Sequence, residues 1–494
     1  MTQSHMDRLT SFDTSFLANE RDNGHMALGA VLTCEGEAPS LEDFNAHILS
    51  RLHLLPRLRQ RVVFPPMQLG RPFWVDHPEF DIAQHVRHVT LPDPGTDAQF
   101  HDLVGRCLSP PLDRSKPLWE LWLVDGFADD RFALVYKTHH SMADGISAVD
   151  IAVLLFDVEP KWEIAREEMP WEPHTPPSRL RLAGRAATGL LATIGRAVRW
   201  VAGAIASPKR AATRARDGIA GIYEVSWALT KPAPKVPLNV DIGPNRCFSW
   251  TECRLDHFKQ IKNTLGGTVN DVSLAVAAGA IRRWLQSRDV EVDGLEMRAL
   301  VPVSVRAENE HGELGNMLTA MRGPLPVGIA DPVERLRKVN HAMEELKASK
   351  QPLGAEAIWG LNDWFREFAP PLLLRPTATI NFSTRLFNLL VTNFPGPQMP
   401  FYVLGRELVG VYPVGFLARG HALAIAIFSY NGQIFFGLIA DRDSIADLEA
   451  ISSYVDEAVE ELYEAAQIAS RSDGNGLGRD HRPGVAGDRQ RLGA

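Results

Sequence analysis

The stretch that most restricts this chain is a junction, where Ala133-Leu134-Val135-Tyr136-Lys137-Thr138 runs straight into His139-His140-Ser141-Met142-Ala143-Asp144-Gly145. The first six residues are rich in β-formers and read as a strand. From Gly145 onward, Ile146, Val149, Ile151, Ala152, Leu154 and Leu155 read as an apolar-faced helix. Side chains at such a junction are held firmly yet can face a cleft. Adjacent strand residues point to opposite faces, so His139 and His140 cannot easily chelate one ion. No third ligand stands at a helpful spacing, and we expect no metal. A neutral imidazole, by contrast, suits taking a proton from a hydroxyl or an amine. Asp144 could brace the loop that positions such a base, and Gly145 allows a sharp turn and close backbone approach.

The surrounding chain reads as a large globular protein. Its 494 residues exceed one ordinary domain and suggest roughly two to four. Hydrophobic residues make up 45% and charged residues 23%, enough to build a core without metals or disulfides. The formal charge of −8 argues against nucleic acid as a partner, because neutralising phosphates needs a basic surface. Cys34, Cys107, Cys247 and Cys253 form no Cys-x-x-Cys pair and read as reduced structural thiols. Met1 to Phe12 carries no apolar run of signal-peptide length, and no stretch approaches the ~20 apolar residues of a spanning helix. The expected place is the cytoplasm, or a membrane surface that the chain does not cross.

Residues 26–33 read as a buried strand and Leu41–Leu54 as a helix. Composition shifts at Glu159, so residues 1–158 are expected as a first half-domain and 159–245 as a basic, proline-containing and partly helical connector. Within the connector, stepping ~100° per residue puts Leu180, Leu190, Leu191, Ile194, Val198, Val201 and Ile205 in one arc. Arg181, Arg185, Arg196 and Arg199 cluster opposite. Ser178 to Arg216 holds nine basic residues and no acidic one. Such a helix can lie on an anionic membrane, or it can pack on the protein by its Leu/Val face with its arginines solvated.

The second half, 246–470, resumes a globular pattern. Val269–Leu285 reads as a long helix, with Met297–Val305, Leu389–Asn393, Leu423–Ser429 and Ile434–Ile439 as strands. Ile445–Ile468 reads as a closing amphipathic helix. Residues 471–494 have few apolar side chains and read as a disordered tail. Their Gly474-Asn475-Gly476-Leu477-Gly478 lacks the strand and helix that a nucleotide loop requires.

The run His139-His140-x-x-x-Asp144-Gly145 resembles the signature of the CoA-dependent acyltransferase superfamily, which includes chloramphenicol acetyltransferase and peptide-synthetase condensation domains. Other segments narrow the likeness to the bacterial wax ester synthase/diacylglycerol acyltransferases. They are Leu9–Leu17 (Leu-Thr-Ser-Phe-Asp-Thr-Ser-Phe-Leu), Pro117-Leu118-Trp119, Asn270-Asp271, Val301–Arg306, Gly315-Asn316 and Asn393–Pro397. They run in the family's order over roughly 9–468. Inside the motif the family often carries Ala and Val where Ser141 and Ala143 stand; neither change removes the base.

The resemblance implies an α/β (α+β) fold of two chloramphenicol-acetyltransferase-like half-domains with mixed sheets and a substrate tunnel between them. It implies His140 as catalytic base, His139 as its supporting neighbour, and Asp144 as a structural member of the site. Asp144 would be salt-bridged to an arginine, for which Arg306 is the candidate; Arg306 can also be read as a surface charge. Asn270 and Asp271 open a helix, where they could face the cleft or simply cap it. Pro117-Leu118-Trp119 reads as packing, and Asn393–Pro397 as a wall of the tunnel.

The implied reaction is direct transfer from a long-chain acyl-CoA to the hydroxyl of diacylglycerol or of a fatty alcohol. It needs no cofactor and no acyl-enzyme, and no Gly-x-Ser-x-Gly elbow is present to supply one. Peripheral contact with the inner membrane or lipid bodies would bring the enzyme to its substrates. Two other readings remain open at this level. One is a condensation-type or polyketide-associated enzyme drawing its acyl group from a carrier protein. The other is an inactive lipid-droplet or acyl-CoA-binding relative.

Overall fold

The structure is a computed structural model that describes residues 6–68, 70–142, 148–162, 171–206, 232–304, 318–348 and 382–476. The first half opens with β1 (Met6–Arg8), α1 (Ser11–Asn19), β2 (Ala27–Glu35), α2 (Leu41–Arg51), β3 (Gln60–Val63) and β4 (Phe73–Asp76). It continues with β5 (Val86–Thr90), α3 (Asp97–Leu108), β6 (Trp119–Asp125), β7 (Arg131–His139) and α4 (Ala148–Leu155). Next comes α5 (Arg179–Ala206). The second half runs β8 (Arg246–Arg254), α6 (Leu255–Leu265), α7 (Val269–Gln286), β9 (Met297–Ser304), β10 (Leu318–Leu325) and α8 (Pro332–Ala348). It ends with β11 (Leu389–Pro395), β12 (Tyr402–Val403), β13 (Arg406–Val414), β14 (Leu423–Tyr430), β15 (Gln433–Asp441) and α9 (Leu448–Gly476).

These strands form two six-stranded sheets and one small one. The first has the order β12-β13-β2-β7-β6-β5, the second β10-β9-β11-β14-β15-β8, and the small one β1-β4-β3. Both large sheets are mixed: β5 runs parallel to β6, and β11 runs parallel to both β9 and β14, among otherwise antiparallel neighbours. β7 sits inside the first sheet, and every residue from Phe132 to His139 is buried. A strand buried on both faces reads as a continuous apolar run rather than an alternating one, as 132–136 does.

Residues of the second half complete the first sheet. β13 pairs with β2, Val411 opposite Leu32 and Val414 opposite Gly29. β15 then approaches β13 so closely that a Cβ on Gly437 would stand 1.9 Å from the Pro413 carbonyl oxygen. Only a residue without a side chain fits there. The two large sheets therefore meet backbone against backbone at this point.

α7 is buried on nearly all sides. Its run of small residues lets neighbours come close, with the Cβ position of Gly279 lying 3.1 Å from the Ala458 Cβ of α9. α9 runs on to Gly476, so Gly474-Asn475-Gly476 belongs to a helix and not to open chain, as the tail from 471 was expected to be. Residues 477–494 lie outside the described residues.

α5 rests on the small sheet. Leu182 is buried with Met6, Phe73 and Val75, and the Cβ position of Gly189 lies against the Arg8 guanidinium. Leu182, Ala186 and Gly189 fall on one side of the helix at ~100° per residue. Leu180, Leu191 and Val198 fall on the other and are 86%, 66% and 61% exposed. The packing alternative in the sequence placed the Leu/Val arc against the protein; these three members of it face outward. Among the described residues no helix is long and apolar enough to cross a membrane.

Candidate active site around His139 and His140

β7 ends at His139, and His140–Met142 form one 3-10 turn. Both neighbouring strands pin this junction. The His139 amide donates to the Leu118 carbonyl at 3.0 Å, and the His140 amide to the Met26 carbonyl at 2.8 Å. Ala27 stands opposite His139 in the β2 register. The two imidazoles then diverge, as strand alternation requires.

His139 is fully buried. Its Nδ1 lies 2.7 Å from the Ser141 hydroxyl and accepts the Ser141 backbone N–H at 3.0 Å. Its Nε2 lies 3.5 Å from Oε2 of Glu20. The same carboxylate oxygen accepts Arg114 Nη2 at 2.5 Å and Nε at 3.0 Å. Burial alone would raise the Glu20 carboxyl, but His139 and Arg114 outweigh it and hold it at about 2. Neither Glu20 nor Arg114 was a sequence candidate. They lie far from His139 along the chain, and no spacing rule connects them.

His140 is partly exposed and turns to an aromatic wall. Its ring stacks on Phe16 with centroids 3.7 Å apart and planes at 12°, and Phe416 meets it edge-on at 5.5 Å. Phe382 closes the group, 6.2 Å from Phe16 and 5.7 Å from Phe416. Loss of water at this wall lowers His140 to about 4; the pull of its own main chain opposes the shift, and His139 adds to it. The imidazole is therefore neutral at physiological pH.

Gly415 and Phe416, which follow β13 of the first sheet, bring this wall against the second sheet. The Cβ position of Gly415 lies 3.3 Å from Ala424 of β14 and 3.5 Å from Leu390 of β11. At the end of β11, Asn393 Nδ2 donates to Asn270 Oδ1 at 3.3 Å and to the Ser273 hydroxyl at 3.4 Å. Asn270 thus meets the Asn393–Pro397 turn. Its neighbour Asp271 closes a capping box with Thr268 and accepts Asn340 Nδ2 at 3.1 Å, which is a helix-capping arrangement. Asp144, Gly145 and Arg306 lie outside the described residues, as do Gly315 and Asn316. Among the described residues, no group of three or more His, Cys, Asp or Glu could hold a metal.

A family model described as the wax ester synthase/diacylglycerol acyltransferase catalytic domain matches residues 9–273, and its C-terminal domain matches 314–463. A Mycobacterium tuberculosis chain named "Probable diacyglycerol O-acyltransferase tgs1" is 31% identical over 463 residues, spanning 92% of this chain and 96% of that one. The chain belongs to the wax ester synthase/diacylglycerol acyltransferase family. Its activity is that of an acyltransferase. The solved wax ester synthase/diacylglycerol acyltransferase of Marinobacter aquaeolei VT8 superposes with a TM-score of 0.64 at 26% identity, covering 93% of this chain and 99% of that one. The first condensation domain of the calcium-dependent antibiotic synthetase shares the fold alone, at a TM-score of 0.55 and 17% identity over 94% and 97% of the two chains.

Within this wax ester synthase/diacylglycerol acyltransferase chain, Pro117-Leu118-Trp119 packs as expected. Trp119 is buried, donates its indole N–H to the Leu58 carbonyl at 2.8 Å and stacks on His85 at 4.6 Å. Leu118 receives the His139 amide, so the segment holds the strand end.

Proposed function

We propose that His140 is the general base in transfer of a long-chain acyl group from acyl-CoA to the hydroxyl of diacylglycerol or a fatty alcohol. The observation that carries this is a partly exposed imidazole, kept neutral against an apolar wall. His140 takes the hydroxyl proton as that oxygen attacks the thioester carbonyl. The tetrahedral oxyanion collapses, the C–S bond breaks, and the leaving CoA thiolate recovers the proton from His140. Asn270 is the candidate donor to the oxyanion, which needs preorganised hydrogen bonds. The phenylalanines suit an acyl chain, and neither a cofactor nor a covalent acyl-enzyme enters the scheme. Asp144, paired with Arg306, would brace the loop after His140, so Asp144→Ala should lower both rate and melting temperature.

A base near 4 is fully unprotonated at neutral pH but less basic than one tuned to 7. His140→Ala is therefore expected to lose roughly 10²- to 10⁴-fold in kcat while still folding. The assay is labelled palmitoyl-CoA with dioleoylglycerol or hexadecanol, resolved by thin-layer chromatography. Near-wild-type turnover in that variant would sink the assignment, and the relative yields rank the two acceptors.

α5 supports peripheral attachment to an anionic lipid surface, the inner membrane or a lipid body. Its exposed Leu180, Leu191 and Val198 line up along a helix that also exposes Arg181, Arg185 and Arg199. An apolar stripe flanked by arginines is how interfacial helices bind.

A further inference from the structure

We propose that Glu20 is a positioning residue that sets, through His139, the tautomer and orientation of the turn from which His140 projects. The proposal rests on His140 being the base.

The starting point is Nδ1 of His139. It faces two donors, the Ser141 backbone N–H at 3.0 Å and the Ser141 hydroxyl at 2.7 Å. An imidazole nitrogen that accepts a backbone N–H carries no proton of its own. In the neutral ring the proton then sits on Nε2, the atom that faces Glu20 at 3.5 Å. The opposite tautomer would set an N–H against the Ser141 N–H and leave a bare lone pair toward a carboxylate. Both ends of the ring therefore favour the same form.

This form matters because the Ser141 amide is the first one after His140. The His139 ring clamps the peptide that follows the base, and the Glu20 carboxylate stands 3.5 Å from Nε2, where its charge favours a proton on that atom. Arg114 donates twice to the same Oε2 that faces His139, so Glu20 cannot swing away without breaking both of these bonds. α1 supplies the geometry. Glu20 lies one turn after Phe16, and its amide donates to the Phe16 carbonyl at 3.1 Å. Residues four apart share a helix face, so one turn presents Phe16 to His140 and Glu20 to His139. Ser141 strengthens the clamp where the family often carries alanine, which has no hydroxyl to offer.

The test is a double-mutant cycle on the full chain with Glu20→Gln, His139→Gln and both together. Glu20→Gln is expected to lower kcat roughly 10- to 100-fold, the order of loss from a slight misplacement of a reacting group, with KM for acyl-CoA little changed. The second substitution should then cost much less than it does alone, because coupled residues are non-additive. Wild-type kcat in a folded Glu20→Gln protein, a loss confined to KM, or additive losses would each overturn the proposal. Should Glu20→Gln fail to fold, nitrogen-15 histidine spectra of the wild-type protein read the tautomer directly, with His139 assigned from His139→Gln. A proton on Nε2 with none on Nδ1 is expected, and a proton on Nδ1 would overturn the proposal. Activity of His140→Ala tests the base itself, so failure of the one reading is distinguishable from failure of the other.

Discussion

The His140 ring lies flat on Phe16, with centroids 3.7 Å apart and planes at 12°. This contact controls what the imidazole can do, because an aromatic face excludes water from one side of the ring. Water stabilises the imidazolium far more than the neutral form, so its loss lowers the pKa. The stack thus selects the charge state that can accept a proton.

With His140 at about 4, kcat/KM should stay level from neutral pH down to about 5. It should fall only as pH approaches 4, well below the 6.5 of an ordinary histidine. A pH–rate profile of the free enzyme checks this; an acid limb centred near 6.5 would count against His140 as the base.

Phe16→Ala removes that wall. It should move the acid limb upward, toward 6.5, because the imidazolium regains water. Phe16 is 3% exposed, so the same change should cost about 3–5 kcal/mol of stability. Denaturant titration and a pH–rate profile on one preparation read both effects.

Stability itself should depend on acid. Burial lowers His85, His140 and His421 each to about 4, whereas the unfolded chain titrates near 6.5. Between those values the unfolded state binds protons that the folded state refuses, so stability falls as pH drops from about 6.5 to about 4. Above about 6.5 the contribution is fully present. Urea midpoints at pH 7 and pH 5 should differ in that direction. Equal midpoints would mean these rings are more hydrated than the structure shows.

Replacing Leu180, Leu191 and Val198 together by glutamine should reduce binding to vesicles containing anionic phospholipid while leaving the melting temperature close to wild type. Their side chains are exposed, so no core is lost. Raising salt should weaken the wild-type interaction, because exposed arginines are screened over about 8–10 Å at physiological ionic strength. Unchanged partitioning of the triple variant would remove α5 from the lipid contact.

Gly437→Ala should destabilise the protein by more than the usual overpacking cost of about 1–3 kcal/mol. The added methyl would meet a carbonyl oxygen at 1.9 Å, and neither β13 nor β15 can retreat without breaking its ladder. Thermal unfolding measures this.

Much of the framework was legible because it is local. The strand into His139 and His140, α7 and α5 all follow from periodicity, and the ordered motifs carried the family. The orientation of α5 was not legible. A helical wheel gives two faces but not which of them meets Met6, Phe73 and Val75 from a distant small sheet. Glu20 and Arg114 escaped because their link to His139 is made by folding, with no spacing to announce it. Phe16 lies within Leu9–Leu17, yet nothing in that segment says which ring it will cover. The membership of β13 in the first sheet was equally hidden, since a strand's sequence records its faces and not its neighbours.

That membership has a consequence for synthesis. The edge of β2 that β13 covers carries unpaired amides and carbonyls until residues 406–414 have been made. Translation is vectorial, so the nascent first half must wait on the ribosome with this edge open for almost the whole remaining chain. Open edges invite pairing with other chains. The protein is therefore most vulnerable to aggregation before its last quarter emerges, and the half that bears the histidines reaches its finished form only when the other half arrives.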